Sequence, residues 1–363
     1  MLLIRWSRLL IIMMFLALGA AFPGHGSVAA EQTPDIVGLV INEDGNSITV
    51  IDPATNRVLG QPDTGGVLDK PHLAAFDATS RRLYVGNKGG NLAVFDFTDA
   101  IAPTLIANLR PGGDGEIHWV VLAAGLVWLA HEGDSTVYAY DPEHLDDPVV
   151  TLGKDYGFDT THGLALRPGT DELWATNRPK EAPGFVLRID ARSREVIGKP
   201  LPTTGTAGDR PNNTAFSPDG SRAFVVNTGS AATQITLVDA DAFTVTGQIE
   251  QDAATGLAPH ALVFDPATER LFVANKDSGT LSVIDTTTDQ IVEAIEIGDE
   301  PHGVAIGPDG NIYATAKKAN HVAVIDPVTL DIVTTITDPA LVGPHQILFT
   351  SEAPAGTPTA LRG

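Results

Sequence analysis

Histidine is the residue type whose placement in this sequence most strongly suggests chemistry. Six of the ten histidines form a series spaced about 45 residues apart, and a single gap of twice that length has an asparagine near its midpoint. Spacing of this kind indicates a repeated structural unit that brings one side chain per unit to an equivalent place. In chain order the equivalent residues are His72, His118, His162, Asn212, His260, His302 and His345.

Imidazole is a common metal ligand that suits copper, zinc, nickel and iron. The chain contains no cysteine, which excludes disulfides, thiolate catalysis, iron–sulfur clusters and metal sites with cysteine ligands. Three or four convergent histidines would therefore favour Cu(II) or Zn(II). His131 follows shortly after His118 and supplies a further imidazole. The candidate metal ligands are His72, His118, His131, His162, His260, His302 and His345.

Two other interpretations of these histidines stay open at the level of sequence. Duplication alone would copy a histidine into every repeat, and a wide channel would keep the copies too far apart to share an ion. Counting alternate residues from His302 places it on the strand face of Val304 and Ile306, which points it between repeats. A metal-free role in acid–base catalysis is the third interpretation.

The repeat that carries these residues is visible in three matching segments. Leu271–Asp285 is matched by Gly38–Asp52 and by Ile312–Asp326. Its closing aspartate recurs at intervals of 44, 45, 49, 49, 46 and 41 residues. Seven copies at this period are typical of propeller blades. The seven aspartates, which we expect to initiate turns, are Asp52, Asp96, Asp141, Asp190, Asp239, Asp285 and Asp326.

Each copy has the pattern of four short β-strands. Short runs of β-branched and alternating residues are separated by Asp, Pro, Gly and Asn. The first copy begins at Asp35 with what corresponds to strand two, and a strand at 346–350 follows the last copy. The sequence therefore predicts an all-β, seven-bladed propeller of four-stranded blades, in which strand 346–350 completes the first blade and closes the ring.

Several repeat elements resemble those of a known family. Phe272-Val-Ala-Asn, Ser217-Pro-Asp-Gly, Gly307-Pro-Asp-Gly and Val283-Ile-Asp are similar to elements of the YVTN-repeat β-propellers. The similarity covers residues 35–350. The family includes surface-layer proteins and YncE-like periplasmic proteins, so the resemblance implies a propeller fold and leaves the activity open.

The turns after strand two form a second set of equivalent positions. Strand two ends at Asn42, Asn87, His131, Asn177, Asn227, Asn275 and Ala316, and we expect the asparagines to cap their turns. Basic residues gather in or beside these turns, on the face that carries the histidines. Such a basic mouth would attract a small anion or an acidic protein partner, although solvated loop charges are the alternative. The expected binding residues are Lys88, Arg178, Arg210, Asn212, Lys276 and Lys317.

The chain ends and the net charge bear on location and partners. Residues 1–30 have the order of a signal peptide, with Arg5 and Arg8 before an apolar run and cleavage expected near Ala29/Ala30. We expect a single domain over 31–350, a flexible tail over 351–363, and a periplasmic or secreted monomer without stable membrane insertion. An uncleaved anchor is the alternative. Cleavage would change the formal charge from −22 to −24, which disfavours nucleic acid.

Three functions are compatible with these observations. The first is a binding module for a ligand, metal or protein on the histidine-rich face. The second is a copper or zinc metalloenzyme, an oxidoreductase or hydrolase. The third is a propeller lyase or lactonase that acts on a small carboxylate. Whether the protein is an enzyme stays open at this point.

Overall fold

The computed structural model describes residues 34–113, 115–207, 209–229 and 234–350. These residues form seven antiparallel sheets of four strands each. The sheets are blades around a central axis, because the innermost strand of each sheet contacts the innermost strands of its two neighbours. The predicted fold class, a seven-bladed propeller, is confirmed.

The strands of the first four blades follow the chain from the first repeat onward. Blade 1 contains β1 Gly38–Asn42, β2 Ser47–Asp52 and β3 Arg57–Gly60, together with the last strand of the chain. Blade 2 contains β4 Pro71–Asp77, β5 Arg82–Asn87, β6 Leu92–Asp96 and β7 Thr104–Leu109. Blade 3 contains β8 Ile117–Ala123, β9 Leu126–His131, β10 Thr136–Tyr140 and β11 Val150–Leu152. Blade 4 contains β12 Thr161–Leu166, β13 Glu172–Asn177, β14 Pro183–Asp190 and β15 Glu195–Ala207.

The remaining blades repeat this arrangement. Blade 5 contains β16 Pro211–Phe216, β17 Arg222–Asn227, β18 Gln234–Asp239 and β19 Thr244–Glu250. Blade 6 contains β20 Pro259–Asp265, β21 Arg270–Asn275, β22 Thr280–Asp285 and β23 Gln290–Glu296. Blade 7 contains β24 Pro301–Ile306, β25 Ile312–Ala316, β26 His321–Ile325 and β27 Ile332–Thr337, and β28 Pro344–Phe349 then returns to blade 1. A 3-10 helix, Lys154–Tyr156, precedes blade 4. None of the described helices is long and apolar enough to cross a membrane.

Ring closure occurs as the sequence predicts. Strand β28 pairs with β1, with Leu348 opposite Leu39, so the two ends of the domain share blade 1. The strand begins at Pro344, two residues before the predicted start, and therefore includes His345. The Val37 amide donates to Thr350 Oγ1 at 2.9 Å and extends the closure by one more bond.

The core lies between neighbouring blades. Side chains of the three inner strands alternate between the two faces of each sheet, and each face is covered by one of the two neighbouring blades. Large residues such as Trp128, Trp174 and Tyr313 are completely buried there. The fourth strands lie at the rim and leave residues such as Leu105 and Val333 exposed. A stack of this kind holds the seven inner strands in fixed positions around the channel.

The seven aspartates that occupy equivalent positions at the ends of the third strands begin turns, as predicted. In each, a carboxylate oxygen accepts a hydrogen bond from the backbone amide two residues later, at 2.7–3.0 Å. This is the Asx-turn geometry that leads the chain into the fourth strand.

Candidate metal centre

Every innermost strand contains a β-bulge at its ring position. In blade 5, Pro211 pairs with Asn227 and Asn213 pairs with Val226, so Asn212 is the extra residue. Equivalent register shifts occur in the other six blades. A bulge bends the strand and redirects the side chain of the extra residue. Counting alternate residues therefore fails for His302, and the interpretation that placed it between blades is wrong.

The six ring imidazoles are in contact with one another. The centroid of the His72 ring lies 3.9 Å from that of His345 and 4.5 Å from that of His118. The arc continues at 4.5 Å from His118 to His162. On the other side, successive rings from His345 through His302 to His260 lie 4.6 and 4.4 Å apart. The histidines thus line the channel as one continuous arc.

Three groups of side chains in this arc have the geometry of a metal site. We call His72, His118 and His162 triad one, and His260, His302 and His345 triad two; the third group is Glu43, His72 and His345. In each group the three ligand atoms lie within 4.8 Å of one another. Tetrahedral Zn²⁺ with bonds of 2.0–2.1 Å needs nitrogen atoms about 3.3 Å apart, a separation that lies within this limit.

Two histidines of triad one have a nitrogen held by a hydrogen-bond acceptor. His72 Nδ1 lies 3.2 Å from Glu43 Oε2, and His162 Nδ1 lies 3.1 Å from the Asn212 carbonyl oxygen. Because these acceptors require a proton on Nδ1, the lone pair of each ring is on Nε2. The Nε2 atom of His72 is buried and has no hydrogen-bond partner among the described residues.

The third histidine of triad one is held through its other nitrogen. His118 Nε2 lies 2.6 Å from Glu116 Oε2 and 3.0 Å from Glu132 Oε2. Its Nδ1 atom is buried and has no hydrogen-bond partner in the described part of the chain. Carboxylates behind a histidine in this way orient the ring and raise its basicity as a ligand.

Triad two is less firmly oriented. His302 Nδ1 lies 3.1 Å from the Glu300 carbonyl oxygen, which leaves its lone pair on Nε2. His260 Nδ1 and both nitrogens of His345 are buried and have no hydrogen-bond partner among the residues described. Glu300 Oε1, at 3.9 Å from His302 Nε2, is too distant for a hydrogen bond.

Burial keeps five of the six ring histidines in the form that binds metals. Burial, with the positive charges of Lys317 and Lys276, lowers the pKa of His302 to about 4. The pKa values of four other ring histidines lie well below the usual value because of burial and the positive charge of neighbouring imidazoles. Neutral imidazole is the ligand form, so no proton has to be displaced at neutral pH. The four are His72, His162, His260 and His345.

Glu43 lies between the two triads. Its Oε2 atom faces His72 and, at 3.6 Å, His345 Nε2, and its Oε1 atom lies 3.1 Å from Lys88 Nζ and 3.0 Å from Lys317 Nζ. Burial favours the neutral acid, but the His345 ring and the two lysines outweigh it and lower the pKa of Glu43 to about 2. Glu43 is therefore an ionised carboxylate in direct contact with both halves of the arc.

The predicted basic residues do lie around the histidines, and most of them pair with acids. Lys88 and Lys317 contact Glu43, while Lys276 Nζ and Lys318 Nζ lie 3.5 and 2.9 Å from Glu300. Arg178 Nη2 lies 2.7 Å from Glu132 Oε2, and Arg210 is exposed. This collar of paired charges differs from the open basic mouth that the sequence suggests.

Asn212 closes the gap in the arc through its side chain. Its Nδ2 atom donates to the His260 carbonyl at 3.0 Å, and its Oδ1 atom accepts from Arg178 Nη1 at 3.2 Å. Arg178 in turn holds both oxygens of Glu132. Asn212 thus connects the end of triad two to the carboxylate that orients His118.

His131 lies apart from the ring. Its Nδ1 atom is 2.9 Å from Asp134 Oδ1, its ring packs at 5.9 Å from Tyr138, and none of the three candidate metal groups includes it. The asparagines at equivalent positions are fully buried, and their amides bond to neighbouring strands and turns, as at Asn87 and Asn177. The structural role expected for these asparagines is confirmed.

The carboxylates beside the histidines are parts of the site that the repeat pattern alone does not predict. Glu43 and Glu132 occupy the position directly after strand two, where other blades have Lys88, Arg178, Lys276 and Lys317. An acid at a position that is basic in most repeats was the available signal. Glu116, which lies two residues before His118, has one counterpart among the repeats, Glu300 before His302.

Comparison with known proteins supports the propeller fold and does not identify an activity. No protein-family model matches the chain. A protein of Salmonella typhimurium described as uncharacterized protein YncE is 27% identical over 200 residues, which cover 54% of this chain and 52% of that protein. Its Salmonella typhi counterpart is 26% identical over 200 residues. The chain spans about half the length of these curated relatives.

Solved structures show the same architecture at low sequence identity. A putative 6-phosphogluconolactonase from Bacteroides uniformis has a TM-score of 0.70 and 15% identity, covering 87% of this chain and 100% of that chain. Kuenenia stuttgartiensis hydrazine synthase gives 0.69 and 17%, covering 81% and 92%. Apo AztD from Citrobacter koseri gives 0.61 and 14%, covering 89% and 98%. At these identities the similarity shows the fold alone.

Proposed function

We propose that this YncE-like β-propeller is a metal-binding module that holds zinc(II) or copper(II) in the ring of channel histidines. The observation that carries the proposal is the convergence of six imidazoles from six blades, with ligand atoms in two separate triads within 4.8 Å. Nitrogen ligands without thiolates suit both metals. Metal binding is the specific form of the binding-module hypothesis that the geometry favours.

Two further observations support a metal over an anion at this site. Where an oxygen acceptor fixes the tautomer, as at His72, His162 and His302, the second nitrogen of the ring carries a lone pair. Four lysines of the collar and Arg178 already contact carboxylates. A small anion would have to displace these ion pairs, whereas a cation would find lone pairs already directed at it.

Metal analysis of the mature chain, purified without a histidine tag, tests the proposal. After loading with zinc(II) or copper(II) and removal of excess ion, we expect at least one ion per chain. Substitution of an exposed histidine, His144→Asn, is the matched control and should leave the content unchanged, because this side chain is 83% exposed and outside the ring. Fewer than about 0.2 ions per chain in the unmodified protein would refute metal binding.

The proposal includes export. Residues 1–30, which the sequence identifies as a signal peptide, and the predicted tail at 351–363 lie outside the described residues. A periplasmic or extracellular location would give the ring access to metals that the cytosol buffers more tightly. Fractionation of expressing cells and mass analysis of the new N-terminus test this; a cytosolic protein that retains Met1 would contradict it.

A further inference from the structure

We infer that the histidine ring binds two metal ions at once, the first tightly in triad one and the second more weakly in triad two. This inference rests on the proposed function and adds the number, order and ligands of the ions. Triads one and two have no residue in common. Occupation of one therefore leaves all three ligands of the other available.

The third group cannot add another ion to a filled ring. Glu43 is grouped there with His72, a member of triad one, and with His345, a member of triad two. An ion in this group would take a ligand from each triad. Two ions per chain is consequently the capacity that these six histidines allow.

The two triads differ in how well their ligands are oriented. Each ring of triad one has its second nitrogen against an oxygen acceptor, at 2.6–3.2 Å. In triad two this holds for His302, whereas neither nitrogen of His345 has a hydrogen-bond partner in the part of the chain that the structure describes. Rings whose orientation is already fixed lose less freedom on binding a metal, and loss of such supporting contacts typically weakens affinity 10–100-fold.

Charge favours the same order. Three carboxylates contact histidines of triad one: Glu43 faces His72, while Glu116 and Glu132 both face His118. Triad two has only Glu43 beside His345 and the more distant Glu300. Basic residues contact carboxylates of both triads, but Glu116 of triad one has no such ion pair among the described residues. The first dication therefore gains more in triad one, and its charge then opposes a second ion nearby.

Asparagine substitutions provide a test with little disturbance of the fold, because Asn212 already occupies the same bulge in blade 5. Titration of the tag-free protein with zinc(II), followed by calorimetry and native mass spectrometry, should give two ions with affinities at least about tenfold apart. His118→Asn should abolish the tighter event and retain one weak ion. His302→Asn should retain one tight ion.

Each result supports or overturns a specific statement. A single ion in the unmodified protein, or loss of both ions in His302→Asn, would overturn the two-site inference, and two events of equal affinity would overturn the order of filling. Each of these results leaves metal binding itself intact. No ion in the unmodified protein would instead refute the proposed function. Circular dichroism confirms that each variant is folded, and His162→Asn and His260→Asn replace any variant that is not.

Discussion

Glu43 is the residue on which most of the interactions at the channel converge. Two lysines neutralise one of its oxygens, and the other oxygen is left to face two imidazoles. The lysines contact Oε1, which holds the carboxylate in place and keeps it ionised, and they leave Oε2 to contact His72 and His345. Glu43 therefore acts as a positioning residue, which fixes the proton of His72 on Nδ1 and directs the Nε2 lone pair towards the channel.

Substitution of this residue should weaken the tighter site without changing the metal ligands themselves. We expect Glu43→Gln to lower zinc(II) affinity at triad one about 10–100-fold, because an amide can present its NH₂ group to His72 and permit the wrong tautomer. Competition with a chromophoric chelator measures the affinity. Glu143→Gln removes an exposed carboxylate that pairs with Arg82 and is the matched control.

A second substitution distinguishes a carboxylate that orients His72 from a side chain that only contributes to packing. Glu43→Asp, which keeps the charge but shortens the side chain, should recover part of the affinity if the carboxylate orients His72. Equal affinity in the Glu43→Gln and Glu143→Gln proteins would show that Glu43 has no role in metal binding. A thermal melt of each variant monitors the stability that is lost when Lys88 and Lys317 lose their partner.

At the scale of the strand, the β-bulge is the feature that directs the ring side chain of each repeat to the candidate site. Blades 4 and 7 show how the bulge is held, since in both a glycine follows the ring histidine. The amides of Gly163 and Gly303 each donate to a threonine hydroxyl at 2.8 Å, and that hydroxyl donates to the carbonyl of the next blade's ring residue. Neighbouring bulges are thereby connected, which fixes the spacing between their side chains.

A side chain at these glycines should disrupt the connection. A Cβ atom at Gly163 would lie 2.8 Å from Thr176 Oγ1 and in still closer contact with the Asn212 carbonyl oxygen. We expect Gly163→Ala to lower the free energy of unfolding by about 1–3 kcal/mol. Urea denaturation measures the change. Gly113→Ala, where a Cβ has open space, should change it by less than about 0.5 kcal/mol; equal effects would contradict the close-packing account.

The strand scale also shows what sequence can and cannot predict in this protein. The spacing of Asp52 to Asp326 predicts the blades, and the missing strand before Gly38 predicts that β28 closes the ring. Side-chain direction at His302 could not be predicted, because one extra residue in a bulge reverses the alternation and the sequence pattern has no marker for it. The role of Glu43 was equally hidden, since its contacts come from repeats that are distant in the chain.

At the scale of the whole molecule, the proposed metal binding depends on ring closure, because the histidines of each triad come from three different blades. His345 belongs to β28, so the strand that completes blade 1 also supplies a ligand of triad two. The Gln346 side chain extends the same strand to blade 2, where it accepts from the Ala74 amide at 2.6 Å and donates to the Ala74 carbonyl at 3.1 Å. Strand β28 therefore contributes both to ring closure and, through His345, to the proposed metal site.

Removal of this strand should affect stability and metal binding together. In a chain that ends at Gly343, the completely buried strand β1 would become an open edge available for pairing with other chains. We expect lower thermal stability, association in size-exclusion chromatography and loss of the weaker zinc(II) event. A chain that ends at Thr350 keeps every described strand and is the control. If the shorter chain remained monomeric with an unchanged melting temperature, closure by β28 would contribute nothing to stability, and the inner strands alone would have to hold the ring.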